Sequence, residues 1–164
     1  MTSALVEEAV KKAALAWISV GAGSPRGLWC MPLEGSLIVV TGPGEQSLPG
    51  LAETDRATVR LRGDTGGLIV VWEAAVTRLS PGGEDWETVA PQLANKRLNA
   101  SGTANELVAR WSDSGCAVVR LTPTDDQPVT APDLPTDSQA APPRETPARV
   151  VPRKPFRLHK VRKR

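Results

Sequence analysis

The stretch from Val39 to Leu51, VVTGPGEQSLPGL, is the part of the sequence that looks most like a ligand-binding element. An apolar run ends there in a Gly-Pro-Gly turn. Turns of this kind can hold a phosphate group through backbone N–H groups. Such sites commonly recruit a nearby Lys or Arg, whereas this stretch has no basic residue and carries Glu45. The stretch therefore fits a working cofactor site, an altered one, or a turn with only a structural role.

Side chains that could do catalysis on their own are scarce. The single histidine is His159, in the C-terminal tail, and the chain has no tyrosine. This excludes Ser-His and Cys-His nucleophile pairs from the body of the protein, and also zinc or iron sites of ordinary composition. Cys30 and Cys116 lie in apolar strand segments and are expected to be reduced, inert core thiols; a bridge between them stays open at this point. A hydrolase with its own catalytic side chains is disfavoured, which leaves a fold that binds something, such as a cofactor with its own chemistry.

The charge is divided unevenly along the 164 residues of the chain. Residues 1–121 carry 11 Lys and Arg against 13 Asp and Glu, whereas residues 122–164 carry 9 against 5. The protein is thus a mildly acidic body with a basic tail, and the tail is the only charge asymmetry that points to a partner. The sequence shows no secretory signal and no apolar run of about 18 residues, which predicts a cytoplasmic protein without a transmembrane segment.

Apolar periodicity predicts an N-terminal helix, six short strands and a helical region before the last strand. Ser3 is the expected cap of the first helix. The run 67–79 alternates poorly, which predicts a strand covered on both faces for part of its length. Pro91 is expected to kink the helix that contains it or to start a new one. The predicted strands are 16–20, 27–33, 36–41, 57–62, 67–79 and 116–122, and the predicted helical region is 84–112.

These elements predict a mainly β fold with helices, a small closed or half-closed barrel over residues 1–122. Residues 123–152 are expected to be a disordered Pro-rich linker. Nine of the fifteen prolines lie between Pro123 and Pro155, and such a segment cannot bury enough apolar area to offset its ordering entropy. Residues 153–164, RKPFRLHKVRKR, form a basic tail.

The segment GSLIVVTGPGE, residues 35–45, resembles the strand and turn of the FMN-binding split β-barrel proteins, a group that includes the pyridoxamine 5'-phosphate oxidases and the flavin and deazaflavin reductases. Their pattern at this place is roughly Gly-Thr-Leu-Tyr-Phe-Ser-Thr-Gly-Pro-Gly-Ser. The order of elements over residues 5–122 agrees in outline, and TDRATVRLR, residues 54–62, stands where the family has an NPRVSLTV-like strand. The resemblance implies a homodimeric, six-stranded split β-barrel with FMN or a deazaflavin in a groove between two subunits.

The resemblance also implies a set of cofactor-binding residues, with the flavin ring beside the second and third strands and the phosphate after the glycine turn. In the phosphate shell, relatives commonly have Ser, Arg or Asn, and Lys, whereas this chain has Glu45, Gln46 and Ser47. A carboxylate about 4 Å from a phosphate oxygen repels it by roughly 4 kcal/mol at an effective dielectric constant near 20. The implied ring contacts are Met31, Pro32 and Leu33, backed by Val40, Thr41, Gly42 and Gly44; the cations that could compensate for Glu45 are Arg26, Arg56, Lys96 and Arg97.

The sequence supports two functions from different classes. The first is binding of a flavin-like or other heteroaromatic ligand in the dimer groove, including catalysis as a flavin- or deazaflavin-dependent oxidoreductase. The second is a non-enzymatic binding or scaffold role in which the basic tail, 153–164, contacts nucleic acid or another acidic partner such as a membrane surface. The residues at 45–47 favour the second function. The Gly-Pro-Gly turn favours the first only weakly, because any tight turn also needs glycine.

Overall fold

A computed structural model describes residues 3–97, 100–136 and 147–148 of the chain. The predicted basic tail and residues 137–146 and 149–152 of the predicted linker lie outside the described residues. Six strands and three helices follow one another within them: α1 (Ala4–Lys12), β1 (Leu15–Ser19), β2 (Arg26–Leu33), β3 (Ser36–Thr41), β4 (Arg56–Arg62), β5 (Leu68–Leu79), α2 (Glu84–Lys96), α3 (Ala104–Asp113) and β6 (Ala117–Pro123).

The six strands form one closed barrel in the order β1-β2-β3-β6-β5-β4, with β1 and β4 paired to complete the circle. All neighbouring strands are antiparallel. Closure gives each of the six strands two neighbours in the barrel. The predicted fold class, mainly β with helices and a six-stranded barrel, is confirmed, and each predicted strand agrees with the observed one to within one residue at either end.

The barrel interior is filled by every second side chain of its strands. In β4, Val59 and Leu61 are buried inside, whereas Arg60 and Arg62 lie on the outer face, as the alternation of the sequence predicts. The interior is completed by four side chains from α1 and from the loop after β3, namely Val6, Val10, Leu48 and Leu51.

A second apolar cluster, the helix-side cluster, lies between the outside of the barrel and helices α2 and α3. Trp86 and Leu93 of α2 join Leu107 and Trp111 of α3 in this cluster, all of them buried. Burial of one large apolar side chain contributes about 1.5–3 kcal/mol relative to leaving it exposed. Packing of this cluster therefore fixes the two helices against the strands.

The strand covered on both faces is β3, and the prediction that the run 67–79 would be that strand is wrong. All six residues of β3 are buried, whereas β5 shows a regular alternation in which Ala75 and Thr77 are exposed. The physical reason is the position of the helices. They cover the outer side of β3, where Ile38 and Val40 belong to the helix-side cluster, and they leave most of the outer side of β5 uncovered.

The helix ends differ from expectation in two places. Ser3 stands at the N-cap position of α1, but its side chain makes no capping hydrogen bond, so the predicted cap is wrong. The helix α2 continues through Pro91 to Lys96, so no new helix starts at the proline. An internal proline costs a helix about 3 kcal/mol or more; here the buried residues Trp86 and Leu93, on either side of it, offset that cost.

Candidate functional site at the glycine turn

The Gly-Pro-Gly turn after β3 presses against the residue that precedes β6. At Gly42 the backbone angle φ is 143°, and a Cβ atom there would lie 2.9 Å from the Cα of Cys116. The Sγ of Cys116 also donates a hydrogen bond to the carbonyl oxygen of Pro43, at 3.3 Å. Gly44 has a φ of 77° and open space around it. The first glycine is therefore required by close packing, while the second is required only by its backbone conformation.

Glu45, directly after the turn, points into the protein rather than into solvent. Only 3% of its side chain is exposed. Its Oε2 accepts a hydrogen bond from Nη2 of Arg97 at 2.6 Å, and its Oε1 accepts one from the indole Nε1 of Trp111 at 2.9 Å. Nη2 of Arg110 lies 4.0 Å from the same Oε1. The carboxylate thus links the turn to the end of α2 and to α3.

The polar groups near Glu45 also form hydrogen bonds within the chain. Oε1 of Gln46 accepts a hydrogen bond from the backbone N–H of Trp29 at 2.6 Å, and Oγ1 of Thr41 accepts one from the N–H of Leu48 at 2.9 Å. Ser47 is exposed, and its backbone carbonyl lies 3.3 Å from Nη1 of Arg26. The polar groups at 45 and 46 therefore hold the loop against β2 and the helices.

The structure brings two of the four predicted phosphate partners to this loop. Arg26 contacts the carbonyl of Ser47, and Arg97 is paired with Glu45 and stacked 5.1 Å from the ring centroid of Trp29. Lys96, the last residue of α2, is exposed. Arg56 forms its ion pair elsewhere, with Asp126 after β6, at 2.8 Å.

The predicted ring contacts lie mostly under the helices. Met31 and Val40 are buried in the helix-side cluster, and Leu33 packs against it. Pro32 and Leu33 are half-buried. The half-buried ring of Trp29 lies on β2 two residues before Met31 and beside Arg97 and Gln46, a position absent from the site predicted on sequence.

Both thiols are poor nucleophiles in the folded chain. Cys30 and Cys116 are free and buried. Burial raises the pKa of Cys30 to about 12. Burial also raises the pKa of Cys116, and the Glu45 carboxylate adds to that shift. These positions agree with the prediction of inert core thiols. Among the residues that the structure describes, no group of three His, Cys, Asp or Glu side chains could hold a metal ion.

Sequence reasoning named Arg97 among the cations that could compensate for Glu45, but it missed the direct pairing of these two residues and the contact with Trp111. Arg97 and Trp111 lie 52 and 66 positions further along the chain. Arg97 reads as a cation that closes a helix, and Trp111 reads as part of an apolar helix face. The two residues meet the carboxylate only because α2 and α3 fold back over β3. No local motif signals this contact.

Comparison with known proteins supports the fold. A scan of protein-family models and a search of curated proteins both find no match. Among solved structures, HutZ, a heme storage protein from Vibrio cholerae, has a TM-score of 0.53 and 14% identity, over 76% of this chain and 91% of HutZ. A FAD- and heme-binding protein from Mycobacterium smegmatis has a TM-score of 0.49 and 16% identity, over 84% of this chain and 76% of that one. A FAD-binding protein from Mesorhizobium loti has a TM-score of 0.47 and 15% identity, over 77% of this chain and 90% of that one.

No helix within the described residues is long and apolar enough to cross a membrane. The strand order, the closed antiparallel barrel and the similarity to HutZ confirm the predicted resemblance at the level of the fold. This chain has the fold of the FMN-binding split β-barrel proteins, at low sequence identity to the solved structures that it resembles.

Proposed function

We propose that this barrel binds a heteroaromatic ligand of the flavin class, in a groove beside β2 and β3 that a second copy of the chain completes. We also propose that the ligand carries no phosphate at the loop 44–47. The pairing of Glu45 with Arg97 and Trp111 is the observation that carries this proposal. The fold shared with HutZ, a heme storage protein, supports a ligand with a flat heteroaromatic ring system.

An FMN phosphate does not fit the residues at this loop. The Glu45 carboxylate already neutralises the Arg97 guanidinium, at 2.6 Å. A phosphate that replaced it would have to break the Arg97 and Trp111 hydrogen bonds, each worth about 1.5–3 kcal/mol when one partner is charged. The displaced carboxylate would then repel the phosphate. A ring compound without a phosphate, such as riboflavin, neither breaks these hydrogen bonds nor is repelled by the carboxylate.

Several groups remain for contact with a ring. The half-buried indole of Trp29, with the Arg97 guanidinium beside it, offers an aromatic and a cationic surface. Pro32 and Leu33, the half-buried members of the predicted ring contacts, lie further along the same strand, β2. A flavin suits this chain better than a heme, because heme iron takes His, Cys, Met or Tyr as axial ligand. The chain has one histidine, in its tail, and no tyrosine; both cysteines are buried, and of its two methionines one is the N-terminal residue and the other, Met31, is buried.

The test compares riboflavin with FMN by thermal shift and visible absorbance. We expect riboflavin to raise the melting temperature of the wild type more than FMN does. In Glu45→Gln, which removes the carboxylate charge, we expect the preference to move toward FMN. Glu87→Gln, at an exposed position of α2, is the matched control and should leave the preference unchanged.

Two results would contradict the proposal in distinguishable ways. If neither flavin stabilises the protein, flavin binding itself is rejected. If FMN stabilises the wild type as well as riboflavin does, the proposed exclusion of the phosphate is rejected. A Soret band after addition of hemin, without any response to flavins, would show that the heteroaromatic ligand is a heme.

A non-enzymatic binding or scaffold role is the second candidate function, and the same pairing favours it. Because the side chains of Glu45, Gln46 and Thr41 all form hydrogen bonds to other residues of the chain, the turn has a structural role that needs no ligand. This function would use the basic tail, 153–164, on nucleic acid. A gel shift with nucleic acid that is lost on deletion of residues 150–164, in a protein that ignores flavins, is the result that supports it.

A further inference from the structure

A groove of about 660 Å³ lies between α1, β1 and the β4–β5 hairpin, and we name it the α1 groove. It is larger than the cavity of about 350 Å³ beside Glu45, Arg97 and Arg110. Ligand pockets for drug-sized molecules typically measure about 300–1,000 Å³. The groove thus has the size of a small-molecule site. None of the residues proposed for the flavin-like ligand lines it, so a ligand in this groove is independent of the proposed function.

Exposed apolar side chains are concentrated in this groove. Four large hydrophobic side chains of the described chain are exposed, and three of them line the groove: Leu5, Leu15 and Ile69, at 40%, 45% and 36%. The half-buried ring of Trp17 adds an aromatic wall. Scattered apolar residues on a surface need no explanation, but convergence of most of them on one concave site indicates binding.

Three of the four charged groups at the rim of the groove already have contacts within the protein. Nζ of Lys12 lies 2.7 Å from Oε1 of Glu8. The Arg62 guanidinium lies 5.7 Å from the ring centroid of Trp17 and donates a hydrogen bond to the carbonyl of Gly66 at 2.9 Å. With Asp64, the rim holds two cations and two anions. The rim thus carries equal numbers of positive and negative groups and offers no net charge to an ionic ligand, so the groove favours a neutral one.

We infer that the α1 groove binds an uncharged, ring-containing apolar small molecule. Its ring would lie among Leu5, Leu15, Trp17 and Ile69, in contact with the apolar walls. The Lys12–Glu8 ion pair at the rim would stay intact. A second copy of the chain is the competing occupant, since an apolar face rimmed by both signs of charge can also pair with itself across a twofold axis.

The test uses two fluorescent probes that differ in one charge: neutral N-phenyl-1-naphthylamine and its sulfonate, 1-anilinonaphthalene-8-sulfonate. We expect the wild type to bind the neutral probe saturably and at least ten times more tightly than the sulfonate. Ile69→Glu should weaken binding of the neutral probe at least tenfold. Val129→Glu changes another exposed aliphatic side chain, one outside the groove, and should change binding less than twofold.

A second pair of variants covers the opposite wall and guards against a folding defect in β5. Leu5→Glu should weaken binding of the neutral probe, whereas its neighbour Ala4→Glu, which does not line the groove, should not. Far-ultraviolet circular dichroism checks the fold of each variant. The inference would be overturned if Ile69→Glu and Leu5→Glu bound the neutral probe as tightly as the wild type does. Tighter binding of the sulfonate than of the neutral probe, or no binding of the neutral probe by the wild type, would also overturn it. So would a concentration-dependent dimer that Leu5→Glu dissociates, because a second copy would then cover the groove.

Discussion

The ion pair of Glu45 and Arg97 is expected to stabilise the attachment of α2 and α3 to the barrel by a measurable coupling energy. Glu45 is 3% exposed and Arg97 is 19% exposed. Breaking a buried pair by removing one partner typically costs about 3–5 kcal/mol, because it leaves an uncompensated buried charge. Water reaches part of the Arg97 side chain, so we expect the lower end of this range, about 3 kcal/mol, for Glu45→Ala.

A double-mutant cycle isolates the pair from the packing changes that each substitution also causes. Arg97→Ala leaves Glu45 buried with the Trp111 hydrogen bond, so its cost should be similar to that of Glu45→Ala. Once one partner is gone, removal of the other should cost little, and the coupling energy should be about 2 kcal/mol, within the range seen for contacting residues. For a domain of this size, Glu45→Ala should lower the melting temperature by about 10 °C.

The assay is urea denaturation of the wild type, both single variants and the double variant, followed by tryptophan fluorescence and circular dichroism. The Glu8–Lys12 pair on α1 serves as the control, because 56% and 76% of its side chains are exposed. Its coupling energy should lie within experimental error. A Glu45–Arg97 coupling energy no larger than that of the control would refute the reasoning, since the carboxylate would then not hold the helices.

Two further predictions concern the turn and the thiols. Gly42→Ala should destabilise the protein by about 2–4 kcal/mol, through backbone strain and overlap with Cys116. Gly44→Ala, at a position with open space around it, should destabilise the protein by only about 1–2 kcal/mol. Equal losses of stability for the two variants in urea denaturation would contradict the close-packing argument. The pKa of Cys30 is raised from 9.0 to about 12 in the folded protein. Below pH 9 the thiol is protonated in both states, and the free energy of unfolding keeps its full value. As the pH rises from 9 toward 12, only the unfolded state loses the thiol proton, so the free energy of unfolding falls by at most about 1.4 kcal/mol per pH unit. The loss should be smaller in Cys30→Ala when the free energy of unfolding is measured from pH 8 to pH 11, and an identical pH profile would show that Cys30 is not its source.

Local patterns in the sequence were sufficient to predict the strands of the barrel. Val59 and Leu61 alternate with Arg60 and Arg62, so a half-buried strand is visible without any tertiary information. The Gly-Pro-Gly turn and the apolar run before it likewise pointed to the right fold. Each of these signals lies within a few residues, where one strand or one turn determines which side chains are buried.

Features that depend on where the helices pack could not be predicted in the same way. The sequence cannot show that β3, and not β5, lies beneath α2 and α3, because both strands are apolar runs. The orientation of Glu45 has the same origin. As a lone carboxylate after a glycine turn, it reads as a solvent-exposed group that repels phosphate. Glu45 is a buried structural anion only because α2 and α3 fold over the barrel and bring Arg97 and Trp111 into contact with it.

The burial of β3 on both faces has a consequence for how the protein unfolds. Val39 faces the barrel interior, whereas Ile38 and Val40 face the helices, so one strand belongs to both apolar clusters. The helices cannot leave without exposing a strand that is also paired with β2 and β6. Barrel and helices should therefore behave as a single cooperative unit. Amide protons of β3 are expected to exchange with solvent only when the whole domain opens.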